Sequence, residues 1–156
     1  GFVRYSRTNP PHVGSEGAGG SLVAVKISRA LLDEIIAHAL EEAPNECCGM
    51  ISGRDGRATE VFRARNEMAS PLAYSVHPQD LFRITQTIEE RGEELAAIYH
   101  SHTKSPPEPS QTDINLAANW PDPLYVICSI ADRDAPQVRA WAIRDGAVTE
   151  VDLEVE

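Results

Sequence analysis

The 156-residue chain predicts one α+β or α/β layered domain, and three observations carry that prediction. Apolar residues make up 42% of it, enough to build a core at the length of one domain. Short β-prone runs alternate with stretches whose apolar residues recur at helical spacing. Asp55-Gly56 and Asp145-Gly146 are turn pairs that mark hairpins. A hairpin-rich sheet interleaved with helices has to bury one face of each element against the other, which gives layers.

Residues 1–21 contain Pro10-Pro11 and five glycines (Gly1, Gly14, Gly17, Gly19 and Gly20). Such a composition buries too little apolar surface to offset its ordering entropy. A flexible tail or linker is expected over 1–21, with the folded domain spanning 22–156. The chain begins at Gly1 and not at Met, as a fragment or processed chain would. "LVAVKI", from Leu22, is β-prone and reads as a strand. Ser28 then caps a helix over Ala30–Glu42, where Leu31, Leu32, Ile35, Ile36 and Leu40 form the stripe. Pro44 ends it. "CCGMISG" reads as a buried strand, Asp55-Gly56 as a turn, and "ATEVFRAR" as the returning strand. "LAYSV" reads as a further strand. His77-Pro78 opens a second helix, since proline suits the first turn; Leu81, Ile84, Ile88 and Leu95 mark its apolar side and Gly92 its stop. "ELAAIYHSH" is a buried strand, "SQTDINLAAN" a short helix, and "LYVICSI" another strand. "QVRAWAIRDGAVTEVDLEV" supplies two strands around Asp145-Gly146.

The totals exclude some functions. A net charge of −10 opposes binding to nucleic acid or to an anionic membrane surface. No apolar run approaches the roughly 20 residues of a membrane span, and the opening residues lack a signal-peptide pattern. Three cysteines, two of them adjacent (Cys47, Cys48 and Cys128), do not make a disulfide framework. A reducing, cytoplasmic setting is expected. Cys47 and Cys48 point to opposite faces of a strand, so Cys48 is expected in the core beside the site and Cys47 in packing. Cys128, Trp120 and Trp141 are read as packing residues.

The stretch "IYHSHTKSPPEPSQTD" concentrates the chemistry. His100 and His102 stand at i and i+2 at the end of a strand, so both imidazoles point to one face. Asp113 follows after a loop long enough to return a third ligand. Two histidines, one carboxylate and an open water position form the pattern of catalytic zinc, though Fe²⁺, Mn²⁺ or Co²⁺ also suit these donors. Ser110-x-x-Asp113 is equally a helix-capping pattern. The two readings of Ser110 are compatible.

With Glu46 in "NECCG", the spacing His100-Ser101-His102, seven residues, Ser110, two residues, Asp113 resembles the JAMM (MPN+, Mov34/JAB) metallopeptidase motif. The likeness in order of elements covers about residues 22–152. "NECCGMISG", "YHSHT" and "PSQTD" look most like the compact bacterial members, the CysO-cysteine peptidases. The resemblance implies an MPN/JAB-type central mixed β-sheet flanked by helices, in a cytidine-deaminase-like layered domain. It implies that His100, His102 and Asp113 hold Zn²⁺, which lowers the pKa of a bound water toward about 7. It further implies that Glu46 takes that water's proton and passes one to the leaving amine, and that Ser110 donates to the developing oxyanion.

The function implied is hydrolysis of the amide bond after the C-terminal glycine of a ubiquitin-like sulfur-carrier protein, releasing cysteine or a similar small adduct. Removal of a ubiquitin-like modifier from protein lysines is the competing substrate class, and a non-catalytic MPN-like scaffold the competing function class. The substrate tail, an extended strand, is expected to add to an exposed sheet edge, bordered by the proline-rich loop Thr103–Pro109. His77 stands where relatives often carry an acid before proline, and a role as fourth ligand competes there with a role as cap. A zinc deaminase is excluded because Pro-Cys-x-x-Cys is absent. No nucleic-acid or membrane partner is expected. The oligomeric state is not legible.

Overall fold

The computed structural model describes the backbone of Phe2–Val3 and all of residues 24–156. The rest of the tail expected over 1–21, and the first residues of the strand expected from Leu22, lie outside the described residues. The elements run β1 (Phe2–Val3), β2 (Ala24–Ile27), α1 (Arg29–Glu42), β3 (Cys48–Arg54), β4 (Arg57–Ala64), α2 (Pro78–Glu90), β5 (Glu94–His102), α3 (Gln111–Ala117), β6 (Leu124–Ser129), β7 (Gln137–Arg144) and β8 (Ala147–Val155).

The local signals act as chemistry requires. Ser28 Oγ accepts the Leu31 N–H at 3.2 Å and starts α1. Pro78 sits in the first turn of α2, where no intrahelical donor is missed. Asp55 and Asp145 both take φ 54°, and Gly56 and Gly146 both take φ 79°, the paired positive values of a type I′ turn whose twist matches the flanking strands.

The strands form one mixed sheet in the order β1-β7-β6-β5-β3-β4-β2-β8, with β7 and β8 also paired. That last pairing closes β2–β8 into a ring, and β1 lies parallel to the start of β7 at Gln137–Val138. β5 is central: it is antiparallel to β3 and parallel to β6. Alternation along β5 divides the core in two. Ala97 and Tyr99 face the side covered by α1 through Leu32, Ile35 and Ala39. Ile98 faces the side covered by α2 and α3 through Ile84, Ile88 and Ala117. Cys47 and Cys48 are buried on opposite sides, one in each cluster, and Cys128 is buried as well. Trp141 is buried in the core, whereas Trp120 is 36% exposed.

Two expectations fail. Leu95 does not lie on α2; the helix stops before Gly92 and Leu95 belongs to β5. "LAYSV" is not a strand, since only Val76 forms an isolated bridge, with Asn66. Asn66 supplies the reason. Its Nδ2 donates to the carbonyls of Glu46 and Ala73, and its Oδ1 accepts from the N–H groups of Met68 and Ser75. One side chain thus satisfies four backbone groups and folds the segment as a loop instead of a ladder.

Candidate metal centre

β5 ends on His100 and His102, and α3 begins just after Ser110. The proline-rich loop between them is tied down from three directions. Ser129 Oγ donates to the Ser105 carbonyl at 2.6 Å, Trp141 Nε1 donates to the Pro107 carbonyl at 2.9 Å, and His102 Nδ1 meets the Pro106 carbonyl at 2.8 Å. Ser110 then caps α3 in a reciprocal box: its Oγ accepts the Asp113 N–H at 3.1 Å, and Asp113 Oδ2 accepts the Ser110 N–H at 2.9 Å. The box aims Asp113 back at β5. Its Oδ2 lies 3.0 Å from His102 Nε2 and 3.2 Å from His100 Nε2, and the two Nε2 atoms are 3.2 Å apart. All three residues are buried.

The protonation of this triangle follows from its contacts. A carbonyl has no proton to give, so His102 Nδ1 carries the hydrogen and its Nε2 in the neutral ring is a bare lone pair. That lone pair faces a carboxylate oxygen and a second imidazole nitrogen. The His102 lone pair and the Asp113 oxygen, 3.0 Å apart in a buried site, repel unless a cation stands between them. Four ligands at about 2.0–2.1 Å in a tetrahedral array stand roughly 3.3 Å apart, close to the 3.0–3.2 Å observed. The donor set and its spacing fit a zinc ion. Burial alone would raise the Asp113 carboxyl, but the adjoining imidazoles and the Ser110 N–H outweigh it and hold the group below the usual carboxylate range.

Glu46 is 4% exposed, and its Oε1 is buried without a hydrogen-bond partner. Burial pushes its carboxyl up to about 7; the Asp113 charge adds to the rise and the His102 charge opposes it. Two clamps fix the Glu46 backbone. Its N–H donates to the Ser70 carbonyl and its own carbonyl accepts from Asn66. One residue on, Ser101 Oγ accepts the Cys47 N–H at 2.8 Å while the Ser101 N–H donates to the Cys47 carbonyl. The serine between the two histidines therefore locks β5 to the residue next to Glu46. A cavity of about 810 Å³ opens beside Glu46, lined also by His38, Arg63, Arg65, Asn66 and His77.

The structure brings His100, His102 and Asp113 together, with Glu46 near enough to feel two of them. Ser110 stands at the edge, exposed, with its hydroxyl proton free of the cap. His77 does not join: its Nδ1 accepts the Gln79 N–H as the N-cap of α2. Sequence reasoning missed Asn66, and also Tyr74, whose ring stacks on His100 with centroids 4.2 Å apart. Nothing local in the sequence signals either one.

Known proteins with similar sequences agree with this geometry. The family model for prokaryotic homologs of the JAB domain matches residues 28–144. The CysO-cysteine peptidase of Mycobacterium tuberculosis is 33% identical over 138 residues, covering 87% of this chain and 94% of that protein. A desampylase of Haloferax volcanii is 39% identical over 104 residues, 62% of this chain and 74% of that one. A probable TtuB-protein conjugate cleaving protease of Thermus thermophilus is 40% identical over 121 residues, 77% and 76% of the two chains. Among solved structures, a protein of Desulfitobacterium hafniense superposes with a TM-score of 0.78 at 28% identity, over 85% of this chain and 92% of its own. A JAB1/MPN domain protein of Archaeoglobus fulgidus shares the fold, with a TM-score of 0.57 at 22% identity, over 84% of this chain and 98% of its own. With the matched segment spanning every element from α1 to β7 and enclosing the buried His-His-Asp group, the chain belongs to the prokaryotic JAB family and is a JAMM-type metallopeptidase.

Proposed function

We propose that this peptidase hydrolyses the amide bond after the C-terminal glycine of a ubiquitin-like sulfur-carrier protein and releases cysteine or a similar small adduct. His100, His102 and Asp113 would hold Zn²⁺. When bound, the ion supplies Lewis acidity and lowers the pKa of water at its open position. Glu46 is the proton carrier. Its carboxylate takes one proton from the attacking water as the C–O bond forms, then delivers it to the nitrogen as the C–N bond breaks. In the metal-free protein burial raises this carboxyl, the direction that strengthens it as a proton acceptor. Ser110 spends a lone pair of its hydroxyl on the Asp113 N–H and keeps its proton for the oxyanion that develops on the scissile carbonyl. The exposed position of Ser110 leaves room for that carbonyl.

The observation that carries this reading is the buried, unpartnered carboxylate of Glu46 beside a convergent His-His-Asp group. The likeness to a CysO-cysteine peptidase supports the carrier-adduct substrate. The free, buried state of all three cysteines supports a reducing, cytoplasmic setting. A second reading, removal of a ubiquitin-like modifier from protein lysines, is supported by the likeness to a desampylase and to a probable conjugate-cleaving protease. Mass spectrometry of zinc-loaded protein incubated with two substrates separates them. One is a carrier with cysteine on its terminal glycine, and the other has that glycine on a protein lysine. Faster release from the cysteine adduct is expected. Cleavage of the lysine conjugate alone would establish the second reading, and cleavage of neither would overturn both.

A further inference from the structure

His38 is the one polar side chain among the buried residues of α1. The helix would pack as well with leucine there, and a buried imidazole costs free energy unless its hydrogen bonds are made. One bond is made. The Tyr99 hydroxyl lies 2.7 Å from His38 Nδ1, with the two rings edge to face. Tyr99 is fully buried on the α1 side of β5, so its proton must go to an acceptor, and that nitrogen is the partner present. The imidazole is neutral at pH 7, because burial first and the Arg63 charge second hold its pKa down at about 4. Nδ1 therefore accepts and Nε2 carries the hydrogen.

That Nε2–H makes no hydrogen bond to the described residues. His38 instead forms part of the wall of the 810 Å³ cavity that Glu46 also lines. The orientation of the ring is set from behind. Tyr99 packs over Gly49, where an added Cβ would come within 2.3 Å of the Tyr99 ring and 2.4 Å of the Phe62 carbonyl oxygen. Only glycine leaves that seat open. The result is a ring held in place, with an unused donor, on a side chain that lines a cavity opening beside Glu46.

We propose that His38 is a substrate-binding residue, its Nε2–H donating to an oxygen acceptor of the bound conjugate, with Tyr99 and Gly49 as its positioning residues. The proposal rests on the peptidase reading above. The acceptor has two candidate sources: a backbone carbonyl of the carrier's extended tail, or the carboxylate of a leaving amino acid.

The test uses zinc-loaded full-length protein and a carrier-cysteine conjugate, with the corresponding cysteinamide conjugate as a second substrate. His38→Phe is expected to raise KM about 3- to 10-fold, the scale of one lost hydrogen bond, with kcat within twofold. Tyr99→Phe, which keeps the ring and removes only the hydroxyl, is expected to raise KM in the same direction. His38→Gln, which retains an N–H donor, is expected to recover part of the loss. An equal effect of His38→Phe on both substrates assigns the contact to the tail carbonyl; an effect confined to the free-carboxylate substrate assigns it to the leaving group. Conjugate affinity measured by calorimetry in a Glu46→Gln background should fall by the same factor. Should His38→Phe fail to fold, Tyr99→Phe decides. Wild-type KM and affinity in the variants that fold, alongside an active wild type, would overturn the proposal. Loss of cleavage and binding in the wild type itself would instead overturn the peptidase reading.

Discussion

Replacing Glu46 with glutamine should abolish turnover and at the same time stabilise the metal-free fold above neutral pH. The carboxylate is 4% exposed, with one oxygen buried and unpartnered, and burial raises its pKa from 4.5 to about 7. A tenfold change in proton affinity is worth about 1.4 kcal/mol, so a rise of that size corresponds to about 3 kcal/mol of destabilisation in the charged, folded state. The group borders a cavity open to solvent, so about 2–3 kcal/mol is expected. The sign follows from linkage. Between pH 4.5 and about 7 the folded protein binds more protons at Glu46 than the unfolded chain does; wild-type stability therefore falls as pH rises through that window and the penalty is complete above it. Glutamine keeps the shape and does not titrate. Denaturant unfolding of chelator-treated protein should show Glu46→Gln and wild type alike near pH 4, and the variant ahead at pH 8. In a domain of this size that gap is a Tm gain of about 5–10 °C. A variant equal to or below wild type at pH 8 would refute the claim that Glu46 is held in the fold at the expense of stability.

The remaining expectations are briefer. Gly49→Ala should destabilise by about 3 kcal/mol in urea unfolding, since its Cβ meets both the Tyr99 ring and a backbone oxygen that cannot yield; an unchanged midpoint would contradict that packing. Ser110→Ala should lose about 1 kcal/mol of helix capping and reduce kcat by about 10²–10³, with zinc content by atomic absorption unchanged. Loss of metal from that variant would confine Ser110 to a structural role. Treatment with a chelator should remove conjugate cleavage and added Zn²⁺ restore it, and persistent cleavage after metal removal would exclude the ion from the reaction.

What the sequence made legible is what is decided within a few residues. Ser28, Pro78, the two Asp-Gly turns and the Ser110–Asp113 box each act on backbone groups one to four residues away, so residue type and spacing suffice. The i, i+2 placement of His100 and His102 needs only the alternation of a strand. Glu46 is different. Its burial depends on Ser70 and Asn66 holding its backbone and on Ser101 locking the next residue to β5. None of those partners has a local signature, and only the resemblance to a family picks Glu46 from 24 acidic residues. The segment "LAYSV" misleads for the same reason. Its composition is β-prone, yet a single distant asparagine takes up the backbone groups that a ladder would have used. Leu95 fits a helical period only if that period is extended past Gly92, where the chain has already turned into β5.

The metal group and the cap of α3 share one atom. Asp113 Oδ2 accepts the Ser110 N–H and also faces both imidazoles. α3 has only seven residues, well below the roughly 12–15 at which an isolated helix becomes marginally stable in water. Its start is therefore fixed by the cap and by packing, and the cap is fixed only while Asp113 stays ionised and in place. Without a cation the carboxylate must hold that position against the His102 lone pair, and with one the repulsion becomes attraction. With Zn²⁺ held as proposed, binding of the ion and ordering of the loop and first turn of α3 would be one equilibrium. The same coupling aligns Ser110, because the hydroxyl that would face the scissile carbonyl is held by the Asp113 N–H one turn inside the helix. A helix cap, ordinarily a device for stopping backbone fraying, would here deliver the proposed metal ligand and the proposed hydrogen-bond donor together.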